Sequence, residues 1–578
     1  MTTWKKFEKW FPLLLALAFI LLTASNLGGM QNPDELVHRV AKALEGRWEF
    51  DTENFDYPSL PKYVMFAVGK VVYSLGYGET DFYVVARFLS VLLGAATIHL
   101  VYHLVRRAGG GIWASVLAST FMLGNHVLAI NARFAHNDLY MLFFMTLSAY
   151  FVLRYVGKQE RGWLYASFFT VGLTASSKYN GGIFLLVPLV VWAGFRYRTF
   201  WAEKLRTLET LFISAALTFG GFALGTPKAL LWMVFYFKRM LPALSRHATF
   251  GETANLPRGI VGQWAVMWGM FGGVLLVLSL GAIFYFAYKL VRFKLLQSSG
   301  MSLRGSFSAE AISAPVGETA SQKDARSDVK RVAPGGGDAA GGVSGYKYAG
   351  ILVLAILVYD LPIMFSYNYQ ARFFLPLLPF FAVLFGMGVE ALTAWVGQTK
   401  LARIQVWVPF VALAILLVSG LRVISVRLLL ANDPRIPAKE FIDSLPEGAS
   451  LEHTIYTPDF DRERFEREHD YPVYFIKHEG DTLPDEIDPG YKTNRGEAGL
   501  LERGTEYLVV DSFTYGRCAN ESVYVTNPVE CAFFADLLTG ETSYEMIGEF
   551  AYELPKFLPQ IEIAFVNPEI QIFQKRVD

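Results

Sequence analysis

Cysteine is scarce in this sequence, and neither sign of charge predominates. Only Cys518 and Cys531 occur among 578 residues, which is too few for a multi-disulfide scaffold or a four-cysteine zinc site. Lys and Arg together number 52, as do Asp and Glu, so the formal net charge is zero. This balance gives no support for a nucleic-acid-binding protein or for another strongly charged partner.

Apolar residues, by contrast, are abundant and are collected in long blocks. The chain is 53% hydrophobic and 15% aromatic, and its mean hydropathy is +0.32. Because a helix needs about 20 apolar residues to cross a bilayer, these blocks predict a polytopic, all-α membrane protein. Eleven transmembrane helices are predicted, near residues 10–28, 82–105, 112–130, 137–156, 162–178, 181–198, 208–225, 260–291, 348–366, 373–394 and 405–426.

The loop after the first span is expected to carry two helices that lie along the membrane surface. The first covers residues 34–45, where one apolar face is formed at helical spacing by Leu36, Val37, Val40, Ala41 and Leu44. The second covers residues 60–76, which are apolar but short and contain Lys62 and Lys70. Counting this second segment as a surface helix rather than a span fixes the side of the membrane on which every later loop lies.

The distribution of basic residues then predicts the orientation of the chain. With eleven spans, one side receives most of the Lys and Arg, namely Lys5, Lys6, Lys9, Arg106, Arg107, Arg154, Lys158, Arg161, Arg196, Arg198, Lys204, Arg206, Lys289, Arg292, Lys294, Lys400 and Arg403. Because basic loops remain in the cytoplasm, we expect a cytoplasmic N-terminus and an extracytoplasmic C-terminus in a cell membrane. The apolar run 11–27 lacks a small-residue cleavage motif, so no cleaved signal is expected.

Composition divides the chain into a membrane domain, residues 1–427, and a small extracytoplasmic α/β domain, residues 428–578. Residues 293–346 are rich in Ser, Gly, Ala and charge and are predicted to form a disordered cytoplasmic linker. In the C-terminal domain, IPAKEFIDSLPEGA predicts a helix and a turn, and TEYLVVDSF and IQIFQKRV predict strands. Both cysteines lie in this domain and can pair in an oxidising compartment; the sequence leaves the pairing open.

With this topology, polar residues from several loops gather on the extracytoplasmic side. Ionisable groups at membrane depth are costly and mark a functional site by default. Carboxylates suit a general base or a metal ion, and Lys or Arg suits a phosphate. The candidates are Asp34, Glu35, Asp56, Tyr57, Pro58, Lys62, Arg133, His136, Asn137, Asp138, Lys178, Tyr179, Asn180, Tyr367, Tyr369, Gln370 and Arg372.

Structural roles compete with functional ones for several of these residues. The acidic pair at 34–35 can simply stabilise the positive end of the first surface helix, and Asp138 can be a helix N-cap. Lys62 can extend its amine to the interface, and His136 can be a hydrogen-bonded helix-end residue rather than a metal ligand. Arg372 lies between aromatic runs with few water-facing neighbours, which favours an anionic partner.

Five short motifs, in this order and topology, resemble the GT-C superfamily of polyprenyl-phosphate-sugar-dependent glycosyltransferases. They are NPDE, FDYPSLPKY, ARFAHND, SSKYNGG and QARFFLPLLP. The branch that they resemble most is that of the protein O-mannosyltransferases and aminoarabinose transferases. The resemblance covers most of residues 10–426 and the presence of a C-terminal domain outside the membrane. It implies a GT-C-like bundle and an inverting transfer of a sugar from a polyprenyl-phosphate carrier to an extracytoplasmic protein, lipid or glycan acceptor.

The resemblance also implies roles for individual residues. Asp34 would be the catalytic carboxylate, assisted by Glu35. Asp138 would form a second acidic site for the acceptor or, in some relatives, a divalent cation, which Asp34 would then share. Arg372 and Lys178 would hold the donor phosphate. The acceptor side would further include Asp56, His136 and Asn137, and the phosphate side Tyr57, Lys62 and Tyr369.

The chain departs from the family in one motif, and other functions compete with sugar transfer. The chain has Tyr57-Pro58-Ser59 where relatives carry His-Pro-Pro or Lys-Pro-Pro, which puts the role of that first residue in doubt. An oligosaccharyltransferase-like activity on protein is less favoured, because no Trp follows Trp407 to form a WWD-type motif. A transporter or lipid-linked-sugar flippase would use the same cavity, but no inverted repeat is evident. A scaffold without catalysis would leave the convergence of polar residues unexplained.

Overall fold

A computed structural model describes residues 8–28, 35–46, 57–197, 201–249, 259–298, 341–364, 370–471, 495–563 and 566–576. Up to residue 442 the secondary structure of these residues is helical. The α-helices span Phe11–Thr23, Val37–Leu44, Leu60–Ser74, Glu79–Arg107, Ile112–Leu123, His126–Ala132, Asp138–Lys158, Arg161–Ser177, Leu186–Arg196, Lys204–Gly225, Lys228–Leu231, Met233–Thr249, Ile260–Phe271, Gly273–Ser298, Gly341–Ile363, Ala371–Phe374, Leu378–Gly397, Trp407–Ala431 and Arg435–Ile442. Short 3-10 helices span Tyr179–Leu185, Leu375–Leu377 and Ala402–Ile404.

Several of these helices are apolar enough to cross a membrane, as the composition predicts. Within the described ranges, seven are long and apolar enough, or eight if one bent pair counts as a single span. A helix occupies each of the eleven predicted positions, although Phe11–Thr23 and the first part of 260–291 are short. The chain is therefore a multi-helix membrane protein, and the number eleven stays a prediction.

Two predicted spans are interrupted where the backbone departs from the helix. The span predicted at 112–130 bends by 59° between its two helices, because Asn125 begins a new helix and accepts a hydrogen bond from the Leu128 N–H at 3.0 Å. The span predicted at 260–291 breaks at Gly272, which has φ +76°. Glycine adopts that left-handed conformation without a steric penalty. Hydropathy alone, which set both boundaries, does not register either break.

The two helices of the first loop pack against each other and against Glu79–Arg107. Leu36, Val37, Val40 and Ala41 are buried there, so the apolar face predicted for the first helix is the packed face. A Cβ added to Gly69 would lie 2.3 Å from Leu44 Cδ1, so this glycine allows the two helices to approach closely. The first helix begins at Val37, later than predicted, and residue 34 lies outside the described chain.

The C-terminal domain contains a five-stranded sheet. Its strands are β1 Ser450–His453, β2 Arg467–Asp470, β3 Tyr507–Asp511, β4 Tyr544–Phe550 and β5 Ile570–Lys575. The order is β2-β1-β3-β5-β4, with β1, β2 and β3 parallel and β5 antiparallel to both β3 and β4. Its helices span Gly496–Arg503, Ser512–Tyr515, Glu521–Thr526 and Pro528–Thr539, and its 3-10 helices Arg462–Arg464 and Gly516–Ala519. The helix predicted after residue 434 and both predicted strands are confirmed.

Burial explains why the central strand is apolar from Tyr507 to Val510. Tyr507 and Val509 pack into one cluster of buried residues, and Leu508 and Val510 pack into another. A strand covered on both faces shows a continuous apolar run rather than an alternation. Cys518 and Cys531 are joined by a disulfide, which ties the segment after β3 to helix Pro528–Thr539.

The C-terminal domain rests on the end of the last predicted span. Leu554, Ile563 and Val566, from the connection between β4 and β5, cluster with Leu429 and Leu430 of that helix and also with Phe134 and Val426. The Asn567 N–H donates to Asp433 Oδ2 at 2.6 Å. The two ends of the segment predicted as a linker, 293–346, are helical, because helices continue to Ser298 and resume at Gly341. Residues 299–340 lie outside the described chain.

Candidate functional site

A buried carboxylate stands at the first residue of helix Asp138–Lys158. Asp138 is fully buried, and its Oδ1 accepts a hydrogen bond from Lys178 Nζ at 2.7 Å. His136 Nδ1 lies 2.8 Å from the other oxygen, Oδ2. Asp138 is therefore more than a helix cap: the N-cap position belongs to Asn137, whose side chain makes no capping hydrogen bond.

Local chain geometry brings Lys178 to this carboxylate. Helix Arg161–Ser177 ends immediately before it, Lys178 itself is extended with φ −154° and ψ 130°, and a 3-10 helix follows. The Gly181 N–H donates to the Lys178 carbonyl at 2.9 Å. A Cβ on Gly181 would lie 2.9 Å from the Thr174 carbonyl oxygen, so the glycine allows the chain to turn back over the helix end.

A second cation joins the site from the segment near residue 372. Lys178 Nζ lies 4.8 Å from the centroid of the Phe373 ring, and the Arg372 guanidinium carbon lies 5.7 Å from the same centroid. Arg372 also acts electrostatically on Asp138. The motifs SSKYNGG and QARFFLPLLP, which are distant in sequence, thus contribute two cations around one aromatic ring.

The residue before Asp138 carries a buried side-chain amide. Asn137 is fully buried, and among the described residues neither its amide nitrogen nor its amide oxygen has a hydrogen-bond partner. The His136 ring is 5.9 Å from the Tyr57 ring in an edge-on contact. Leaving a buried polar group unsatisfied costs about 1–3 kcal/mol, so atoms of this kind call for an explanation such as a bound ligand or water.

Glu35 is held by an ion pair that the sequence analysis did not identify. Arg87 Nε and Nη2 donate to Glu35 Oε1 at 2.9 Å and Oε2 at 2.6 Å, and the Ala135 N–H also donates to Oε1, at 2.7 Å. Through the bond to Ala135, Glu35 connects the first loop to the turn before Asp138. It does not cap helix Val37–Leu44, whose N-cap is Leu36. The sequence carries a signal for this pair: Arg87 lies in the apolar run FYVVARFLSVLL, and a charge within an apolar helix needs a buried partner.

The other predicted residues are distributed around this region or fall outside it. Lys62 is 2% exposed, so it does not reach solvent, whereas Lys70 is exposed and lies over the Phe66 ring at 5.2 Å. The Ser59 N–H donates to Thr226 Oγ1 at 3.2 Å, which anchors the start of helix Leu60–Ser74. Four predicted site residues, namely Asp34, Asp56, Tyr367 and Tyr369, lie outside the described residues.

His136 and Asp138 are the described residues that bear on the predicted metal site. Among the described residues, no group of three or more His, Cys, Asp or Glu side chains is arranged to hold a metal ion. His136 and Asp138 form a pair rather than a triad, and one oxygen of Asp138 is bonded to Lys178. The predicted share of Asp34 in a metal site lies outside the described chain, so the divalent cation stays a prediction.

Solved structures of membrane glycosyltransferases share a distant likeness with the whole chain. The ArnT structure from Cupriavidus metallidurans bound to undecaprenyl phosphate is 14% identical over 99% of this chain and 98% of its own, with a TM-score of 0.46. The Archaeoglobus fulgidus oligosaccharyltransferase in the apo form is 14% identical over 94% and 80%, with a TM-score of 0.47.

The protein O-mannosyltransferase Pmt1-Pmt2 complex of S. cerevisiae bound to the sugar donor aligns over less of the chain. It is 20% identical over 44% of this chain and 38% of its own, with a TM-score of 0.30. No curated protein matches the chain.

A family model matches the part of the chain that carries most of the described site. The model of the dolichyl-phosphate-mannose-protein mannosyltransferases matches residues 72–241. That range contains Arg87, Asp138 and Lys178. The family match confirms the resemblance of this chain to the polyprenyl-phosphate-sugar-dependent glycosyltransferases of the GT-C superfamily.

Proposed function

We propose that the protein transfers a sugar from a polyprenyl-phosphate carrier to an acceptor on the extracytoplasmic side of the membrane. The proposal rests on the group in which Lys178 contacts the buried Asp138 carboxylate and shares the Phe373 ring with Arg372. Lysine and arginine side chains are the groups that bind phosphates in proteins, so two of them beside one carboxylate favour an anionic ligand. The family match over residues 72–241 supports a lipid phosphate as that anion.

On the donor side, Lys178 and Arg372 would stabilise the leaving group. When the bond between the anomeric carbon and the phosphate oxygen breaks, its electron pair stays on the phosphate. Fixed cations stabilise this developing charge most strongly where water is excluded. Arg372 can bind a phosphate through two N–H groups, whereas Lys178 acts as a point charge. Asp138 would keep the Lys178 amine in place between turnovers.

On the acceptor side, the turn before Asp138 offers the Asn137 amide and His136 Nε2, which have no hydrogen-bond partner among the described residues. These atoms would bind hydroxyls of the acceptor or of the sugar. The acceptor oxygen would attack the anomeric carbon with inversion and give its proton to Asp34. Glu35 is a poor base, because its carboxylate is already bound by Arg87 and by the Ala135 N–H. Its proposed role is to hold residue 35 against the turn before Asp138. Because Asp34 is the preceding residue, this contact would also hold Asp34 near that turn.

A binding experiment separates the phosphate-binding role from a structural one. The protein, reconstituted in lipid, is titrated with a polyprenyl phosphate and with the corresponding polyprenol. Arg372→Gln is compared with wild type and with Lys70→Met, which removes an exposed cation elsewhere. Because Lys178→Met alone would remove the hydrogen-bond donor of the buried Asp138 Oδ1, it is combined with Asp138→Asn.

The proposal predicts that wild type and Lys70→Met prefer the phosphate to the alcohol. The two site variants should lose about 10- to 100-fold of that preference, since a hydrogen bond to a charged group contributes about 1.5–3 kcal/mol. Equal preference in all four proteins would refute the phosphate-binding site. Binding without any sugar transfer would favour a transporter or flippase.

A further inference from the structure

A tight turn stands out at the tip of the connection between β4 and β5. We call residues 551–563 of this connection the strap. The Leu558 N–H donates to the Pro555 carbonyl at 2.9 Å, which closes a turn with Lys556 and Phe557 in its two central positions. Gln560 Nε2 donates to the carbonyls of Pro555 at 3.2 Å and Leu558 at 3.0 Å. The turn is therefore held in shape by three hydrogen bonds.

This well-bonded turn presents an aromatic ring outward. The Phe557 side chain is 82% exposed, whereas the adjacent Leu558 is buried, and Lys556 is exposed. A large aromatic side chain loses about 25 cal/mol of stabilisation for each Å² left in water. Folding therefore gives no reason for a phenylalanine at this position.

The strap lies on the lipid-facing side of the last predicted span. Val411 and Val418 of helix Trp407–Ala431 are 56% and 65% exposed in this structure, which contains no membrane. Ser425 follows Val418 by seven residues, so it lies on the same line along the helix. Ser425 is nevertheless buried, and its Oγ donates to the Pro559 carbonyl at 2.8 Å. Val411, Val418 and Ser425 thus lie on one line along the helix. The first two are exposed, and the strap covers the third.

The position of this contact along the helix gives its depth. Trp407 follows a basic segment and marks one membrane interface. Eighteen residues separate it from Ser425, which is about 27 Å at 1.5 Å per residue. The hydrocarbon core is about 30 Å thick. The Pro559 carbonyl therefore lies at the opposite edge of the hydrocarbon, and Phe557 is only two residues away.

We propose that the turn Pro555–Leu558 is a membrane anchor that inserts Phe557 into the interface of the lipid leaflet nearest to the C-terminal domain. Aromatic rings are favoured at this level of a bilayer, and the neighbouring Lys556 amine can reach the lipid phosphates. The strap also carries Leu554 and Ile563, which pack with Phe134 near the candidate site. The anchor would thereby hold the C-terminal domain at a fixed height beside that site.

A thiol-attached fluorophore tests the anchor directly. Phe557→Cys introduces one reactive thiol, because the two native cysteines are joined in a disulfide, and wild type serves as the labelling blank. Leu538→Cys is the matched control, because Leu538 is a 42% exposed apolar residue of the same domain. It lies near Gly540 and Tyr544. That end of the sheet is far from Asn567 and Asp433, where the domain contacts the last predicted span. Both labelled proteins are reconstituted in vesicles with and without brominated phospholipid, and iodide is added from the aqueous side.

The anchor predicts at least a twofold stronger quenching by brominated lipid at position 557 than at 538, together with protection from iodide at 557. The fluorophore at 538 should be quenched by iodide and be insensitive to the lipid. If the fluorophore at 557 behaves like the one at 538, Phe557 faces water or a soluble partner and the proposal is wrong. Because Phe557 is exposed, the substitution removes no packing, and unchanged thermal unfolding of the unlabelled variant checks this.

Discussion

At the level of single residues, the pair formed by Glu35 and Arg87 joins two buried charges. The Glu35 side chain is completely buried, and that of Arg87 is 3% exposed. Removal of one partner from a buried pair leaves an uncompensated charge and costs about 3–5 kcal/mol. Arg87→Ala should therefore lower the thermal unfolding temperature of the protein strongly in detergent.

The control for this prediction is an arginine whose ion pair is partly exposed. Arg106 lies 3.4 Å from Glu8, with side chains 40% and 24% exposed. Such pairs contribute about 0–1 kcal/mol, so Arg106→Ala should change the unfolding temperature little. Equal effects of the two substitutions would contradict a structural role for the Glu35 pair. Arg87→Met combined with Glu35→Leu should recover much of the lost stability, because no charge is then left unpaired.

Glycines allow helices Arg161–Ser177 and Lys204–Gly225 to pack closely against each other. A Cβ on Gly172 would lie 2.1 Å from the Thr218 carbonyl oxygen, and a Cβ on Gly221 would lie 2.2 Å from the Phe169 carbonyl oxygen. Helices Arg161–Ser177 and Lys204–Gly225 therefore approach through small residues, as membrane helices often do. The first of these helices ends next to Lys178, so its position affects the candidate site.

Neighbouring glycines provide a matched test of this contact. Gly221→Ala forces the helices apart and should destabilise the protein by about 1–3 kcal/mol. Gly220→Ala meets no atom within 4 Å and should leave stability unchanged or slightly increased, since alanine favours the helix. Thermal unfolding of the two variants distinguishes them. A neutral Gly221→Ala would show that the helices are not in this close contact.

The disulfide of the C-terminal domain closes a loop of modest length. Its cysteines are 13 residues apart, and a loop of about that size gives roughly 3 kcal/mol of stabilisation in the chain-entropy model. Mild reduction should increase proteolysis of the C-terminal domain, whereas the variant Cys518→Ser with Cys531→Ser should be cleaved readily with or without reductant. Proteolysis that reduction does not change would contradict a stabilising disulfide.

At the level of elements, hydropathy predicts where helices lie but not where they are interrupted. The sequence is largely apolar on both sides of Asn125 and across Gly272, so hydropathy does not register the break at either position. It does not register the short 3-10 helix Tyr179–Leu185 either. These breaks depend on tertiary contacts and on capping hydrogen bonds, which carry no periodic signal.

At the level of the whole molecule, the ordering of polar motifs along the chain predicts which residues meet. Asp138, Lys178 and Arg372, which come from three motifs, were expected to share one cavity, and the structure brings them together. Arg87 lies within the span predicted at 82–105, where hydropathy gives its charge no partner. The catalytic role of Asp34 follows only from the resemblance, and that residue lies outside the described chain.

The orientation of the molecule is a separate prediction that follows from its basic loops. If the C-terminal domain is extracytoplasmic, a membrane-impermeant thiol reagent should label Leu538→Cys on intact cells. It should label Leu401→Cys, an exposed position beside Lys400 and Arg403, only after the cells are permeabilised. The opposite pattern of labelling would invert the topology and place the candidate site on the cytoplasmic side.

The most direct test of the proposed function is sugar transfer by the purified protein in lipid, with a panel of radiolabelled polyprenyl-phosphate sugars and an acceptor extract. Wild type is compared with Asp34→Asn and with Glu541→Gln, an exposed carboxylate in the C-terminal domain. We expect wild type and Glu541→Gln to transfer sugar from at least one donor. Loss of a general base should slow Asp34→Asn by about 10²-fold or more, with no change in unfolding temperature. Full activity of Asp34→Asn would contradict its assignment as the base, and transfer by none of the proteins, together with no preference for the lipid phosphate over the alcohol, would contradict the glycosyltransferase itself.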